Sequence, residues 1–103
     1  MNEESVFQAV KELSAALAIT RDAAEIEAFL HSLLTKAEVR LIGARWALVK
    51  EIKLGMPQRD IARRYSLSLC KITRGSRELK KENSPFRKML DRAGRAAVKK
   101  NSP

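Results

Sequence analysis

The sequence predicts an all-α protein of six helices in one domain spanning residues 1–103. Apolar residues recur every three or four positions along each segment long enough to judge, which is helical periodicity rather than the alternation of a strand. Small polar residues, glycine and proline separate these segments at points where helices begin and end. Of the 103 residues, 45% are apolar, which is enough for one core.

Local signals place the helix ends. Thr35 and Glu38 form a capping box before the longest helix. Gly55 is expected to end that helix, Pro57 suits the first turn of the next one, and Ser84-Pro85 opens the last. The first helix is expected at about residues 4–18. The second begins at a capping box formed by Asp22 and Glu25 and runs to about residue 34. The other four are expected at about residues 35–54, 57–65, 68–81 and 84–98.

The apolar surface predicts a dimer. The longest helix carries Val39, Ile42, Trp46 and Val49 on one face. A short chain with only five aromatic residues buries little area alone, and dimerisation is the usual remedy. We expect a homodimer in which helices at about residues 4–54 and 84–98 form the interface and residues 57–81 form a separate helix-turn-helix head.

Charge is unevenly divided along the chain and indicates a polyanionic partner. Residues 1–34 hold two basic and six acidic residues, a net charge of −4, whereas residues 35–103 hold nineteen basic and six acidic residues, a net charge of +13. Clustered Lys and Arg gain affinity for nucleic acids by releasing counterions from phosphates. Solubility or association with ribosomes would explain the same charge without DNA.

Residues 58–75 fit a helix-turn-helix, a DNA-binding motif in which two short helices cross at a steep angle. Ser66 takes the turn position that favours glycine, and Ser68 can cap the second helix. This arrangement would place the start of the second helix, the reader, in the major groove of DNA. An ordinary helical hairpin is the plainer alternative. The crossing positions are the apolar Ile61, Tyr65, Leu67 and Ile72 and the small Ala62.

Several strings in this region resemble the tryptophan repressor family in order and spacing. The most specific is Ile72-Thr-Arg-Gly-Ser76, followed by Leu79-Lys80. The resemblance runs from about Leu34 to Lys80, with one residue missing between Gly55 and Gln58. The remaining strings are Leu34-Thr-Lys-Ala-Glu38, Gly43-Ala-Arg45 and Gly55-Met-Pro-Gln-Arg59.

The resemblance implies a six-helix intertwined homodimer whose DNA-binding head is positioned by a corepressor, L-tryptophan or a related aromatic amino acid. Arg45 and Arg74 would hold the ring between them, since guanidinium planes stack on aromatic faces and also bind carboxylates. Glu78 departs from the family, which often has a small hydroxyl residue there. The implied corepressor-binding residues are Ser32, Leu34, Thr35, Arg45, Val49, Arg74, Gly75 and Glu78, with the backbone carbonyls near Ser32 and Leu34 taking the ammonium group from the partner subunit.

The same resemblance implies a sequence-specific transcriptional repressor that binds an operator in double-stranded DNA. Lys80 would contact phosphate, and the other residues would lie at the head of the first motif helix or on the reader. The implied DNA-binding residues are Gln58, Arg59, Leu69, Cys70, Lys71, Ile72, Thr73 and Lys80.

No pattern in the sequence predicts an enzyme, a metal site or a bound cofactor. His31 is the only histidine and Cys70 the only cysteine, so neither a zinc cluster nor an internal disulfide is expected. Apolar runs fall far short of the roughly 20 residues that span a bilayer. With its acidic start, the chain is expected to be cytoplasmic and without a membrane partner.

Two other functions fit the sequence. One is a helix-turn-helix regulator or transposase-like DNA-binding module that needs no corepressor. The other is a basic protein that coats nucleic acid without sequence choice, with a large salt dependence and little discrimination between sites. The regular helix-turn-helix pattern disfavours the second alternative, because binding without sequence choice does not need a helix held at a set position in the major groove.

Overall fold

The computed structural model describes residues 1–65 and 69–101, and every regular element among them is an α-helix. The all-α prediction is therefore confirmed for this part of the chain. The expected turn at Ser66–Ser68, with Leu67, lies outside the described residues. The helices are Glu3–Ala18 (α1), Ala23–Leu33 (α2), Lys36–Lys53 (α3), Gln58–Tyr65 (α4), Leu69–Lys80 (α5) and Pro85–Asn101 (α6).

The predicted caps form hydrogen bonds at three helix starts. The Thr35 hydroxyl accepts from the Glu38 N–H at 3.1 Å, and a Glu38 carboxylate oxygen accepts from the Thr35 N–H at 2.8 Å. Hydrogen bonding of the Glu38 carboxylate with the Thr35 backbone N–H, and after it with the Thr35 side chain, holds the pKa of Glu38 below its ordinary value. Asp22 accepts from the Ala24 N–H at 3.0 Å, and the buried Ser84 hydroxyl accepts from the Arg87 N–H at 3.2 Å.

Gly55 ends α3 as the sequence predicts. Its φ of +91° is a conformation that glycine adopts without a steric penalty. The Gly55 N–H donates to the Ile52 carbonyl and the Met56 N–H to the Glu51 carbonyl, both at 3.1 Å, which is the paired pattern of a Schellman motif. Pro57 differs by one residue from the prediction: it precedes α4, and its carbonyl accepts the N–H groups of Asp60 and Ile61.

The chain contains two compact units, residues 1–40 and 41–103. The first unit holds α1 and α2, and neither helix buries a residue. Its apolar stripe on α1 is open to solvent: Val6, Phe7 and Val10 are 43%, 61% and 52% exposed. These helices therefore carry an apolar surface that the single chain leaves uncovered.

The second unit is built around a small core where α3, α4 and α5 meet. Leu48, Ile61 and Ile72 are at most 3% exposed, and Ala62 packs against them with Ile52 and Met56. Ile61, Ala62 and Ile72 thus pack as the helix-turn-helix pattern predicts. α4 packs against α5, and α5 packs against α6.

Further contacts tie α6 to the rest of the second unit. An Nη1 of Arg87 donates to the Leu79 carbonyl at the end of α5, at 2.7 Å. Lys53 of α3 forms an ion pair with Asp91 of α6, and the hydrogen bond from Lys53 holds the pKa of Asp91 below its ordinary value. The position of α6 is therefore fixed against the helices on either side of it in the unit.

Gly75 allows α5 to approach α3 closely. A Cβ at this buried position would lie 3.1 Å from Cγ2 of Val49 and 3.3 Å from Cδ1 of Ile52. Any larger residue would have to displace these branched side chains. Gly94 in α6 is exposed and has nothing within 4 Å of such a Cβ, so it provides a matched comparison.

We expect Gly94→Ala to raise the free energy of unfolding by about 0.5–1 kcal/mol, because alanine costs less backbone entropy in a helix. Gly75→Ala should instead give a free energy of unfolding below that of wild type, because overpacking at this position costs about 1–3 kcal/mol. Urea denaturation at one fixed protein concentration measures both. Equal stabilisation by the two substitutions would contradict a tight contact at Gly75.

Candidate ligand pocket and nucleic-acid interface

A cavity of about 400 Å³ opens in the second unit beside α3, α5 and α6. This volume falls within the range of about 300–1,000 Å³ that is usual for small-molecule sites. Five of the eight residues predicted to bind a corepressor line it: Arg45, Val49, Arg74, Gly75 and Glu78. The full lining is Leu41, Ala44, Arg45, Leu48, Val49, Lys71, Arg74, Gly75, Glu78 and Phe86.

The apolar part of the lining suits a flat ring. Leu48 and Val49 are buried in the wall from α3, and Phe86 contributes from α6. The Phe86 ring stacks on Trp46 with 5.5 Å between ring centroids and 19° between planes, a geometry in which aromatic pairs are attractive. The stack holds the Phe86 ring in a fixed place at the edge of the cavity.

The charged part of the lining is mainly cationic. Arg45 comes from α3 and Lys71 and Arg74 come from α5, and all three are exposed residues. The single carboxylate, Glu78, pairs with Lys81 at 2.9 Å, with 38% of its side chain exposed. An exposed pair of this kind is worth about 0–1 kcal/mol, so a ligand group could replace Lys81 as the partner of Glu78 at little cost.

The other three predicted corepressor residues belong to the first unit. The Ser32 hydroxyl donates to the Phe29 carbonyl at 2.9 Å, Leu34 follows α2 directly, and Thr35 caps α3. These are ordinary roles at helix ends. Ligand contact by Ser32, Leu34 and Thr35 stays a prediction.

α5 presents two different faces. Lys71, Arg74, Gly75 and Glu78 are spaced by three or four residues, so they share the side that lines the cavity. Thr73, Arg77 and Lys80 are also spaced by three or four residues and lie on the other side of the helix, and all three are exposed. The outward face is therefore the part of α5 available to a macromolecule.

This division changes the predicted set of DNA-binding residues. Ile72 is completely buried in the core, so its prediction as a DNA contact is corrected: its side chain packs against Leu48 and Ile61 instead. Lys71 lines the cavity and does not share the face of Thr73. The side chains of Leu69 and Cys70 lie outside the described part of the chain.

Arg77 lies on the same exposed face, although it is not among the predicted DNA-binding residues. It follows Thr73 by four residues and precedes Lys80 by three, so helical spacing alone could have placed it on their face. The predicted contacts on α4, Gln58 and Arg59, are its first two residues and are exposed. The first turn of α4 is thus open to solvent.

In this helical fold, α5 lines a cavity of about 400 Å³ with one side and faces solvent with the other. The family described as Trp repressor protein matches residues 8–94, which is most of the chain. The chain therefore belongs to the Trp repressor protein family. Membership of this family indicates a DNA-binding transcriptional repressor, not an enzyme.

The match extends beyond the region of strong sequence resemblance and includes most of α1 and all of α2. Comparison with curated proteins and with solved structures gave no match. Within residues 1–65 and 69–101, no helix is both long and apolar enough to cross a membrane. The same part of the chain holds no group of three or more His, Cys, Asp or Glu suited to a metal ion.

Proposed function

We propose that this protein is a homodimeric, sequence-specific repressor whose affinity for its DNA operator is raised by L-tryptophan or a related aromatic amino acid. The observation that carries the proposal is that Arg45 of α3 and Arg74 of α5 line the same cavity. A ligand held by both arginines would join the scaffold to the helix whose outward face is available to DNA.

The charge of the second unit supports a DNA partner. Residues 41–103 hold seventeen basic and five acidic residues, a net charge of +12. Thr73, Arg77 and Lys80 form an exposed stripe on α5, and Gln58 and Arg59 lie at the start of α4. In this arrangement Thr73 would contact base edges, whereas Arg77 and Lys80 would contact phosphates. Phosphate contacts position a protein on DNA, and base contacts specify the sequence.

The lining of the cavity supports an aromatic acid as the ligand. The apolar wall of Leu48, Val49 and Phe86 would cover one part of the ring, and the two guanidinium planes would stack on its faces. Glu78 could accept the ligand's ammonium group in a charge-assisted hydrogen bond. A ligand of this kind stabilises the DNA-binding conformation only if it binds that conformation more tightly than it binds other conformations of the protein.

The exposed apolar face of the first unit supports the dimer. No residue of α1 or α2 is buried, and Val6, Phe7 and Val10 form an apolar stripe in solvent. Burying such a stripe contributes about 25 cal/mol per Å² of apolar surface. A second copy of the chain would cover it and would present two reading helices to a palindromic operator.

We expect sedimentation velocity at micromolar concentration to give about twice the 11.6 kDa chain mass. Phe7→Glu should shift the equilibrium towards monomer, because it places a charge within the apolar stripe. Gln8→Glu adds the same charge at the adjacent exposed position and should leave the dimer intact. A well-folded wild-type monomer would exclude the intertwined dimer.

We expect Thr73→Ala and Lys80→Ala to affect DNA binding differently. With an operator selected from random duplexes, loss of a base contact at Thr73 should reduce discrimination against scrambled DNA by about 1–3 kcal/mol. Lys80→Ala should weaken binding to both duplexes equally and lower the slope of log affinity against log salt by about one. Fluorescence anisotropy titrations at several salt concentrations measure both. If Thr73→Ala leaves the ratio of the two affinities unchanged, the outward face of α5 does not read bases.

We expect saturating L-tryptophan to raise operator affinity by about 5- to 150-fold, the usual range for allosteric coupling. By reciprocity, the operator should tighten tryptophan binding by the same factor. Arg45→Lys keeps the charge but loses the stacking plane, so it should weaken tryptophan binding in calorimetric titrations. Arg40→Lys makes the same change at an exposed position of α3 outside the cavity and serves as the control.

If tryptophan gives neither heat of binding nor any change in operator affinity, the corepressor proposal is wrong. Operator binding without any ligand would then favour the corepressor-independent regulator. Equal affinity for all duplexes would instead favour the non-specific nucleic-acid-binding protein.

A further inference from the structure

Helix α6 carries a row of basic residues on one side. Lys88, Arg92 and Arg95 are all exposed. They follow one another at intervals of four and three residues, so their positions fall within about 60° of the helix circumference. They span about 10 Å along the helix axis, because each residue adds about 1.5 Å. These three residues form what we call the α6 basic face.

The opposite side of α6 packs within the second unit. Leu90 is 5% exposed, and the Phe86 ring stacks on Trp46. Helical spacing places Leu90 and Phe86 about 150–170° from the centre of the α6 basic face. A dimer contact through the apolar residues of α6 would therefore leave the basic face in solvent.

Within residues 1–65 and 69–101, none of the three cations forms an ion pair with a carboxylate. The one acidic residue of α6, Asp91, forms its ion pair with Lys53. The hydrogen bond from Lys53 is the main cause of the low pKa of Asp91, and the charge of Arg95 contributes less. The guanidinium of Arg92 contacts Sδ of Met89 at 3.4 Å, and this neutral acceptor does not neutralise its charge. A partner with a row of negative charges would supply the counter-charge.

The spacing and the packing of α6 favour the phosphate backbone of DNA as that partner. Duplex DNA carries about one negative charge per 1.7 Å of its axis, so a length of about 10 Å presents about six charges to the three cations. A basic amphipathic helix can instead lie on a membrane, but it does so by burying its apolar face in the lipid. In α6, Leu90 is already buried in the protein and Phe86 is stacked on Trp46. DNA is also the partner that the family of this chain indicates.

We propose that the α6 basic face is a second DNA-binding surface, which holds phosphates of the duplex without reading its sequence. It belongs to a different helix from the outward face of α5 and raises the affinity for every duplex alike. Its contribution requires neither an operator nor a corepressor. The inference therefore goes beyond the proposed function and can be tested separately from it.

The test uses two variants of the α6 basic face. The neutralised variant carries Lys88→Gln, Arg92→Gln and Arg95→Gln. The charge-retaining variant carries Arg92→Lys and Arg95→Lys, which keep the positive charges that phosphates attract but change the shape of the side chains. Circular dichroism and sedimentation velocity check that each variant has the fold and the oligomeric state of wild type.

A matched control removes the same kinds of charge elsewhere. It replaces one lysine and two arginines that are exposed and lie outside α6, by Lys11→Gln, Arg21→Gln and Arg40→Gln. The neutralised variant and the control thus both lower the net charge of +9 by three. Fluorescence anisotropy measures the binding of each protein to a scrambled-sequence duplex at several salt concentrations, without tryptophan.

We expect the neutralised variant to lower the slope of log affinity against log salt by about 2.7 for each α6 basic face in contact with DNA, since each phosphate contact contributes about 0.9. The control and the charge-retaining variant should stay within about one of the wild-type slope. With tryptophan present, the ratio of operator to scrambled-duplex affinity should be the same in the neutralised variant and in wild type, because phosphate contacts carry no sequence information.

Several results would overturn the inference. Equal changes of slope in the neutralised variant and the control would reduce the effect to net charge, and a lower ratio of operator to scrambled-duplex affinity would make the face a reader of bases. A change of oligomeric state in the neutralised variant alone would place the face at a protein interface. Loss of binding to phosphatidylserine vesicles with an unchanged DNA slope would indicate a membrane partner. Failure of wild type to bind the scrambled duplex would exclude the second surface, whatever the operator shows.

Discussion

The close approach of α5 to α3 at Gly75 is the constraint on which the rest of the second unit depends. At this point the absence of a side chain lets Val49 and Ile52 lie within van der Waals reach of the α5 backbone. The buried contact of Leu48, Ile61 and Ile72 acts beside it and fixes the rotation of α5 about its axis. Once that rotation is fixed, helical spacing decides which residues line the cavity and which face outward.

The two faces of α5 give a physical basis for the proposed coupling between ligand binding and DNA binding. Close-packed interfaces do not deform continuously, so a change on one side of a packed helix tends to move the helix as a body. Arg74 lies on the cavity-lining side and Thr73 on the outward side, one residue apart. In the proposed mechanism, a ligand that restricts the orientation of Arg74 would restrict Thr73 as well, without any chain of intermediate contacts.

Much of the architecture could be predicted from the sequence because the signals were local. The Thr35–Glu38 capping box and Gly55 act within one helical turn, and the structure forms both as expected. The small departure at Pro57 is also local: its carbonyl can accept the first N–H groups of α4, so proline lies just before the helix. The charge division between the two parts of the chain was likewise readable from composition alone.

The site was less predictable because it depends on how helices rotate against each other. The recognisable Ile72-Thr-Arg-Gly-Ser76 string placed Ile72 among both the packing and the DNA-binding residues, and only its complete burial decides between them. Lys71 and Arg77 are six residues apart, which places them about 120° apart around the axis of α5. That difference becomes visible only when the buried side of α5 is known.

The uncovered apolar stripe of α1 sets a condition on the whole mechanism. If α1 and α2 bury their apolar residues only against a second copy, the first unit folds stably only as part of the dimer, and its stability depends on protein concentration. Ser32, Leu34 and Thr35 belong to that unit, whereas Arg45 and Arg74 belong to the other. In the proposed dimer, a ligand held in part by the partner subunit would stabilise the dimer as well as the orientation of α5. Ligand binding, dimerisation and DNA binding would in that case be linked equilibria. The coupling measured between any two of them would depend on the concentration of the ligand, protein or operator that controls the third.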